Sequence, residues 1–463
     1  DGIKNIILIA RDQFGIRPLY YNFSKQITIN QELNITKSVV NSLFCFSSTL
    51  SSLVNMDKMK NNTIKQFDPG HCMILKKHHD NNFYNFNSIQ KYIHIPPVIN
   101  YDYSSLDIHQ ILYYSLKAAV SRRILTSDRP VGALLSGGLD SSIICALSQE
   151  ILKENGKSPL HTFSIGLTGS EDLKYSKQVA NHIGSYHHQV TLSEEDFLNS
   201  IPSVIYDIES YDTTTVRAST GNWLIGKYIK ENTDVKVVLN GDGADELMGG
   251  YLYFHKAPND FLFDEECKRL LNNIHYYDVL RSDRSISSHG LEPRTPFLDK
   301  DFVNMYLSIE ISKRNHTNKL SPMCNNTNIE KYLIRNSIEK LNSTLLPNNI
   351  LWRQKEAFSD GVSSLEKSWY QVIQDDIQTK MIEDKLLNEE IERTIYPKHL
   401  SCETLEQKYY YVLFKRQFQN CEETIPYYWM PRFINATDAS ARTLKSIYGD
   451  KQNIKNVVKN LNV

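Results

Sequence analysis

The run Ser136-Gly137-Gly138-Leu139-Asp140-Ser141-Ser142 combines the side chains and the backbone freedom needed to hold an anion. Adjacent glycines let the backbone come close to a phosphate. The hydroxyls of Ser136, Ser141 and Ser142 add donors, and a helix starting here would offer unpaired N–H groups and the positive end of its dipole. Asp140 is unfavourable beside a phosphate unless a divalent cation bridges the two, which makes the segment a candidate Mg2+ and phosphate site. No Gly-Lys-Ser/Thr follows, so this is not a Walker loop, and the glycine spacing is not that of a dinucleotide turn. The plain alternative is a Gly-Gly turn with a Ser/Asp helix cap. Position favours the phosphate reading, because an apolar run precedes the segment and an apolar helical pattern follows it.

A second loop, Asn240-Gly241-Asp242-Gly243-Ala244-Asp245-Glu246, follows another apolar run. Three acidic side chains beside two glycines exceed what a simple turn needs. The His187-His188 pair invites a metal reading, but neighbours in a strand point to opposite faces and cannot readily share an ion. Cys45, Cys72, Cys145, Cys267, Cys324, Cys402 and Cys421 form no Cys-x-x-Cys pair and no zinc-like spacing, so neither a disulfide framework nor a structural metal is expected.

These loops need a frame, and the chain supplies one. With 463 residues, 41% hydrophobic and 23% charged, it has material for two or three globular domains. Up to about residue 92, short β-prone runs (IILIA, LYYN, FCFSS, HCMILKK) alternate with turn residues such as Asp68-Pro69-Gly70. Pro96-Pro97 breaks any regular element and marks a domain boundary, giving domains 1–95 and 96–463. Beyond it, helical spacing over Leu106–Ile124 leads into a core strand at Val131–Leu135. Helix over Ile143–Leu152, strand at His161–Leu167, helix over Asp172–Ile183 and strand at Val235–Leu239 follow. That alternation predicts an α/β fold with a parallel sheet. Past Tyr251 helical patterns dominate, and the stretch from about Gly449 reads as loose.

Lys and Arg number 52 against 53 Asp and Glu, a net charge of −1 with no long basic block, which argues against nucleic acid as a partner. No apolar run approaches a membrane span and no secretory leader is visible, so the expected compartment is cytoplasmic.

The string SGGLDSS resembles the pyrophosphate loop of the ATP pyrophosphatase superfamily, and within it the chain resembles asparagine synthetase over nearly its whole length. The matching segments are Tyr211–Thr220, Gly249–Pro258, Pro296–Lys300, Trp352–Glu356 and Tyr428–Asp438. The resemblance implies an ATP-pyrophosphatase synthetase domain with a helical C-terminal part. It implies a ligase that uses ATP and Mg2+ to convert aspartate to asparagine through β-aspartyl-AMP, releasing pyrophosphate and AMP. Ser136, Gly137, Gly138, Ser141 and Ser142 would then hold pyrophosphate, and Asp140 with Asp245 the Mg2+. Leu134, Ile165, Asn240 and Gly241 would contact adenosine, Lys355 would offset charge at the transferring phosphate, and Thr214, Thr215 and Arg217 would grip aspartate. Glu330-Lys331 and Arg335 also match, without distinguishing an active-site role from an ordinary ion pair. Asp242 replaces an expected glutamate that takes a proton from ammonia, and it reaches one methylene less far.

Residues Ile9–Tyr20 and Phe67–Gly70 resemble the second half of a mostly-β glutaminase domain of the amino-terminal-nucleophile class. That chemistry needs a Cys with a free α-amine, and position 1 is Asp. The chain is therefore expected to use ammonia at best, glutamine serving only a complete enzyme. A first residue other than Met favours shortening over true loss. The half-domain is expected to expose strand edges and apolar surface. A homodimer is the assembly that the resemblance suggests.

Overall fold

The computed structural model describes residues 5–23, 44–54, 64–77, 84–93, 107–317, 319–322, 328–355, 361–363, 367–436 and 438–439. The expected boundary at Pro96-Pro97, Cys324, Glu356 and the stretch after Gly449 lie outside them.

Among the described residues the amino-terminal part has six short strands, β1 (Ile6–Ala10), β2 (Tyr20–Phe23), β3 (Phe44–Ser47), β4 (Ile64–Gln66), β5 (His71–Lys77) and β6 (Tyr84–Lys91), and one helical turn, α1 (Leu50–Val54). They form two antiparallel sheets, ordered β1-β5-β6 and β3-β2-β4. Phe67, Met73 and Leu75 make a small core. The buried Arg11 guanidinium braces the segment between the sheets, donating to Gln66 Oε1 at 3.1 Å and to the carbonyls of Phe67 at 2.6 Å and Gly15 at 2.9 Å. Among the described residues β1 lies at a sheet edge, with Leu8 63% exposed, so apolar surface faces solvent here.

The second part is a parallel sheet of β7 (Val131–Leu134), β8 (His161–Leu167), β9 (Tyr186–Leu192), β10 (Val237–Leu239) and β11 (Glu292–Arg294), ordered β11-β10-β7-β8-β9. α2 (Ile108–Leu125) precedes the sheet, and between its strands run α3 (Leu139–Glu154), α4 (Glu171–Ile183), α5 (Glu194–Ile208), α6 (Thr213–Asn232), α7 (Ala244–Met248), α8 (Asp260–Asn273) and α9 (Asp278–Ser287). α10 (Lys300–Ser308), α11 (Ile311–Arg314), α12 (Tyr332–Leu341), α13 (Asn348–Leu351), α14 (Trp369–Glu383), α15 (Lys385–Arg393) and α16 (Leu405–Gln417) complete the described helices.

Two apolar clusters sandwich the sheet. Ala133, Leu135, Val237 and Leu239 pack with α2, α3, α10 and α12 on one side. Phe163, Ile165, Leu167 and Val238 pack with α5, α6, α14 and α16 on the other. Strand order runs outward from β7 through β8 to β9 and, on the other flank, from β7 through β10 to β11. The outgoing loops of β7 and β10 therefore diverge and leave a crevice at their carboxyl ends, the usual ligand position in such sheets.

Helix α3 starts four residues earlier than the hydrophobic pattern indicates, because Gly138 caps it in extended conformation. Asp140, Ser141 and Ser142 consequently lie in its first turn. His187 and His188 do sit in a strand and face apart. His187 meets the hydroxyls of Thr162 at 3.0 Å and Ser164 at 3.2 Å, while His188 stacks on Phe163 with ring centroids 4.7 Å apart.

Candidate active site

The loop from β7 to α3 is held in one shape by its own hydroxyls. Ser136 Oγ and Ser141 Oγ lie 3.0 Å apart, and Ser141 Oγ also accepts the Ser136 N–H at 3.2 Å. Gly137 has φ +76°, and a Cβ there would come within 2.5 Å of Tyr175 Cβ and 2.6 Å of Ser176 N, so only glycine lets α4 pack this close. Ser136, Gly138, Asp140 and Ser141 line the crevice, and Gly137 and Ser142 stand behind it. The buried Ser142 hydroxyl and Asp140 Oδ1 have no hydrogen-bond partner. Buried polar atoms left unsatisfied at the N-terminus of a 16-residue helix suit an anion and its cation.

Facing this loop are two lysines and a second carboxylate. Lys331 Nζ lies 2.5 Å from both Asp140 Oδ2 and Asp245 Oδ1, and Lys355 Nζ lies 2.6 Å from Asp245 Oδ2. Burial alone would raise the Asp245 pKa, but Lys331 and Lys355 outweigh it and hold the carboxyl below the usual range. Burial likewise opposes the charge on Lys355, yet Asp245 and Asp140 raise its pKa above the ordinary lysine value. Lys331 has a left-handed backbone, φ +55°, at the N-cap of α12, which aims it back across the crevice. Arg335, fully buried, locks this arrangement by donating to the carbonyls of Glu330 at 2.8 Å and Leu351 at 2.5 Å and by pairing with the Glu330 carboxylate. Arg353 ties the same segment to the phosphate loop, donating to the Gly137 carbonyl at 3.1 Å and lying over the Tyr175 ring.

Asp140 and Asp245 fit Mg2+ in donor chemistry, being hard carboxylates flanking a phosphate cradle, one with an unsatisfied oxygen. No group of three or more side chains able to hold a metal lies together among the described residues, so nucleotide oxygens and water would supply the remaining ligands.

The acidic loop after β10 meets the phosphate loop directly. A Cβ on Gly241 would lie 2.9 Å from both Asp140 Cβ and Ser141 N. Asp242 is paired with Arg281 at 2.8 Å, and the same nitrogen reaches Asp278 at 3.2 Å. Asn240 Oδ1 accepts the Asp242 N–H at 3.2 Å, and its amide donates to Ser282 Oγ at 2.5 Å. Glu246 is buried and accepts from the Tyr251 hydroxyl. Burial first, then Asp278 and Asp245, raise its pKa well above the carboxylate norm.

Leu134, Ile165, Asn240, Gly241, Thr214 and Thr215 all line the crevice. Thr214 Oγ1 has no partner, whereas Thr215 Oγ1 donates to Asp212 Oδ2 at 2.8 Å. Arg217 is not brought to the lining. Its Nε and Nη2 donate to Glu406 at 2.9 and 2.6 Å, and Nη1 and Nη2 to Asp438 at 2.8 Å each. It could grip a substrate carboxylate only by releasing Asp438. The motif strings singled out neither Arg281 nor Asp278, and left Lys331 undecided; the helical period that buries α9 offered the one available signal.

The crevice is thus that of an α/β nucleotide-using synthetase, with a phosphate loop, two lysines and two carboxylates at the switch in strand order. A family model described as asparagine synthase matches residues 112–265 and 258–420. The chain is 39% identical over 462 residues to a glutamine-hydrolyzing asparagine synthetase of Gallus gallus, covering 96% of this chain and 76% of that protein. It is 37% identical over 458 residues to the Homo sapiens protein of the same description, with the same coverage. An NH3-dependent NAD synthetase from Campylobacter jejuni, 18% identical, overlaps 31% of this chain and 61% of its own with a TM-score of 0.22, too slight a likeness to bear on the fold. The chain belongs to the asparagine synthase family.

Proposed function

We propose that this chain is an ATP-dependent carbon–nitrogen ligase that makes asparagine from aspartate. The side-chain carboxylate of aspartate attacks the α-phosphorus of ATP, forming β-aspartyl-AMP and expelling pyrophosphate. Ammonia then attacks the acyl carbon, the bond to AMP breaks with its electron pair, and a proton leaves the nitrogen. What carries this reading is the convergence of the Ser136–Ser142 loop, Lys331 and Lys355 on one crevice with Asp140 and Asp245.

Within it, Ser136, Gly137, Gly138, Ser141 and Ser142 hold pyrophosphate, and Leu134, Ile165, Asn240 and Gly241 flank adenosine. Lys355 follows negative charge as it develops at the α-phosphate, an interaction worth most in the transition state. Asp140 and Asp245 hold Mg2+, which when bound neutralises charge on the phosphate oxygens. Asp242 is the proton acceptor for the nitrogen, oriented by Arg281. Thr214 and Thr215 stand where aspartate would lie, with Arg217 joining them only if Asp438 moves. Nitrogen comes from glutamine in a complete enzyme, and the residues of this chain would use ammonia at best. Cys45 and Cys72 lie inside strands without a free α-amine, and burial raises the Cys45 thiol pKa away from reactivity.

A cytoplasmic location and a homodimer complete the proposal; among the described residues no helix is long and apolar enough to cross a membrane. The test is pyrophosphate and asparagine formation from ATP, Mg2+ and aspartate with ammonium or glutamine. Aspartate-dependent pyrophosphate with asparagine from ammonium is expected; a folded chain giving neither would refute it.

A further inference from the structure

Helix α9 is buried along nearly its whole length, from Val279 to Ile286, and carries charge on opposite sides. With about 3.6 residues per turn, Asp278, Arg281 and Ser282 share one face and Asp283 and Arg284 the other. The first face holds the acidic loop, through Arg281 to Asp242 at 2.8 Å and Ser282 to Asn240 at 2.5 Å. The second face holds the amino-terminal part. Asp283 pairs with Arg17, whose other nitrogen donates to the Pro293 carbonyl at 3.4 Å. Arg284 pairs with Glu209, which accepts the N–H groups of Leu50 at 2.7 Å and Ser51 at 2.9 Å at the start of α1.

We infer that α9 is a positioning element that couples the amino-terminal sheets to the amide-forming loop, with Arg17 and Asp283 setting where Arg281 holds Asp242. A single short helix cannot shift on one face without shifting on the other, because its backbone hydrogen bonds make it stiff. Proton transfer tolerates little error in distance, so a displacement of α9 falls on the step that needs Asp242. The phosphate loop touches the acidic loop at Gly241 but carries braces of its own in Ser136, Ser141 and Arg353, so a displacement of α9 reaches it less than it reaches Asp242. Arg17 and Asp283 touch no reacting atom and act only through α9. The inference rests on the asparagine-forming reading.

The experiment is single-turnover kinetics of the full chain with ATP, Mg2+, aspartate and ammonium, following pyrophosphate and asparagine separately. Arg17→Gln removes the half-exposed partner, Asp283→Asn keeps the buried side chain's shape without leaving a charge unpaired, and circular dichroism of each variant checks that it is folded before the kinetics are read. Each variant should form pyrophosphate within about twofold of wild type but asparagine about fivefold more slowly, and Arg17→Lys should restore the asparagine rate, as expected for coupled residues. Equal slowing of both steps, an unchanged asparagine rate, or failure of Arg17→Lys to rescue would overturn the coupling. A wild-type chain that forms no asparagine would instead overturn the functional reading, and this inference with it.

Discussion

Lys331, itself buried, stands between Asp140 and Asp245, and without its charge two carboxylates would face each other across the crevice. Lys331→Met should therefore cost about 3 kcal/mol of stability, the order found when one partner of a buried ion pair is removed. Urea unfolding measures the loss. Added Mg2+ should recover more of it in the variant than in wild type, since the ion replaces the missing cation. Lys355→Ala should lower aspartate-dependent pyrophosphate release by about 100-fold, the scale of removing one transition-state donor. Lys355 was legible because it lies in a recognisable string, Trp352-Arg353-Gln354-Lys355-Glu356. Lys331 was not, because its place depends on a left-handed backbone and on a partner 191 positions earlier. Arg217 shows the reverse difficulty: the string suggested a fork for substrate, but Glu406 and Asp438, both distant in sequence, occupy it.

Among elements, the loop between β7 and α3 is the least tolerant of change. Gly137→Ala would place a Cβ into Tyr175 and Ser176 on a positive-φ backbone, a strain of about 1–3 kcal/mol before any repacking. The expected outcome is a lower thermal midpoint together with loss of ATP binding, read by calorimetry. The core strands and their intervening helices were legible, His161–Leu167 to the residue, because apolar runs and helical periods mark them directly. The three-residue strand β11 was not, since Glu292-Pro293-Arg294 has no strand-like composition and is ordered only by pairing with β10. Nor could periodicity show that α3 begins at Leu139, because its first turn is polar on purpose: those residues serve the crevice and not the core.

Taken whole, the molecule buries several histidines in neutral form. Burial first, with His188 and Lys177 adding to it, lowers the pKa of His187 to about 4; burial and Lys256 do the same for His255. His275 and His316, both fully enclosed, are lowered further. The unfolded chain binds these protons near pH 6.5 while the folded chain refuses them, so the stability they contribute is complete above about 6.5 and drains away as pH falls towards 4. The urea midpoint should fall steadily over that interval, and a flat profile would contradict the burial of these rings. The same tertiary enclosure explains why the alternation of apolar runs and helical periods could predict an α/β architecture but not which polar groups lie inside it. One tie described above also sets an order in time. Arg217 is joined to Asp438 across 221 positions, and the Trp429 N–H to Asp212 Oδ1 at 2.8 Å across 217. Trp429, Pro431 and Ala439 form part of the crevice wall. During synthesis the phosphate loop emerges some three hundred residues before that wall exists, so ligand cannot reward the early stages of folding, and the pocket is among the last things the growing chain completes.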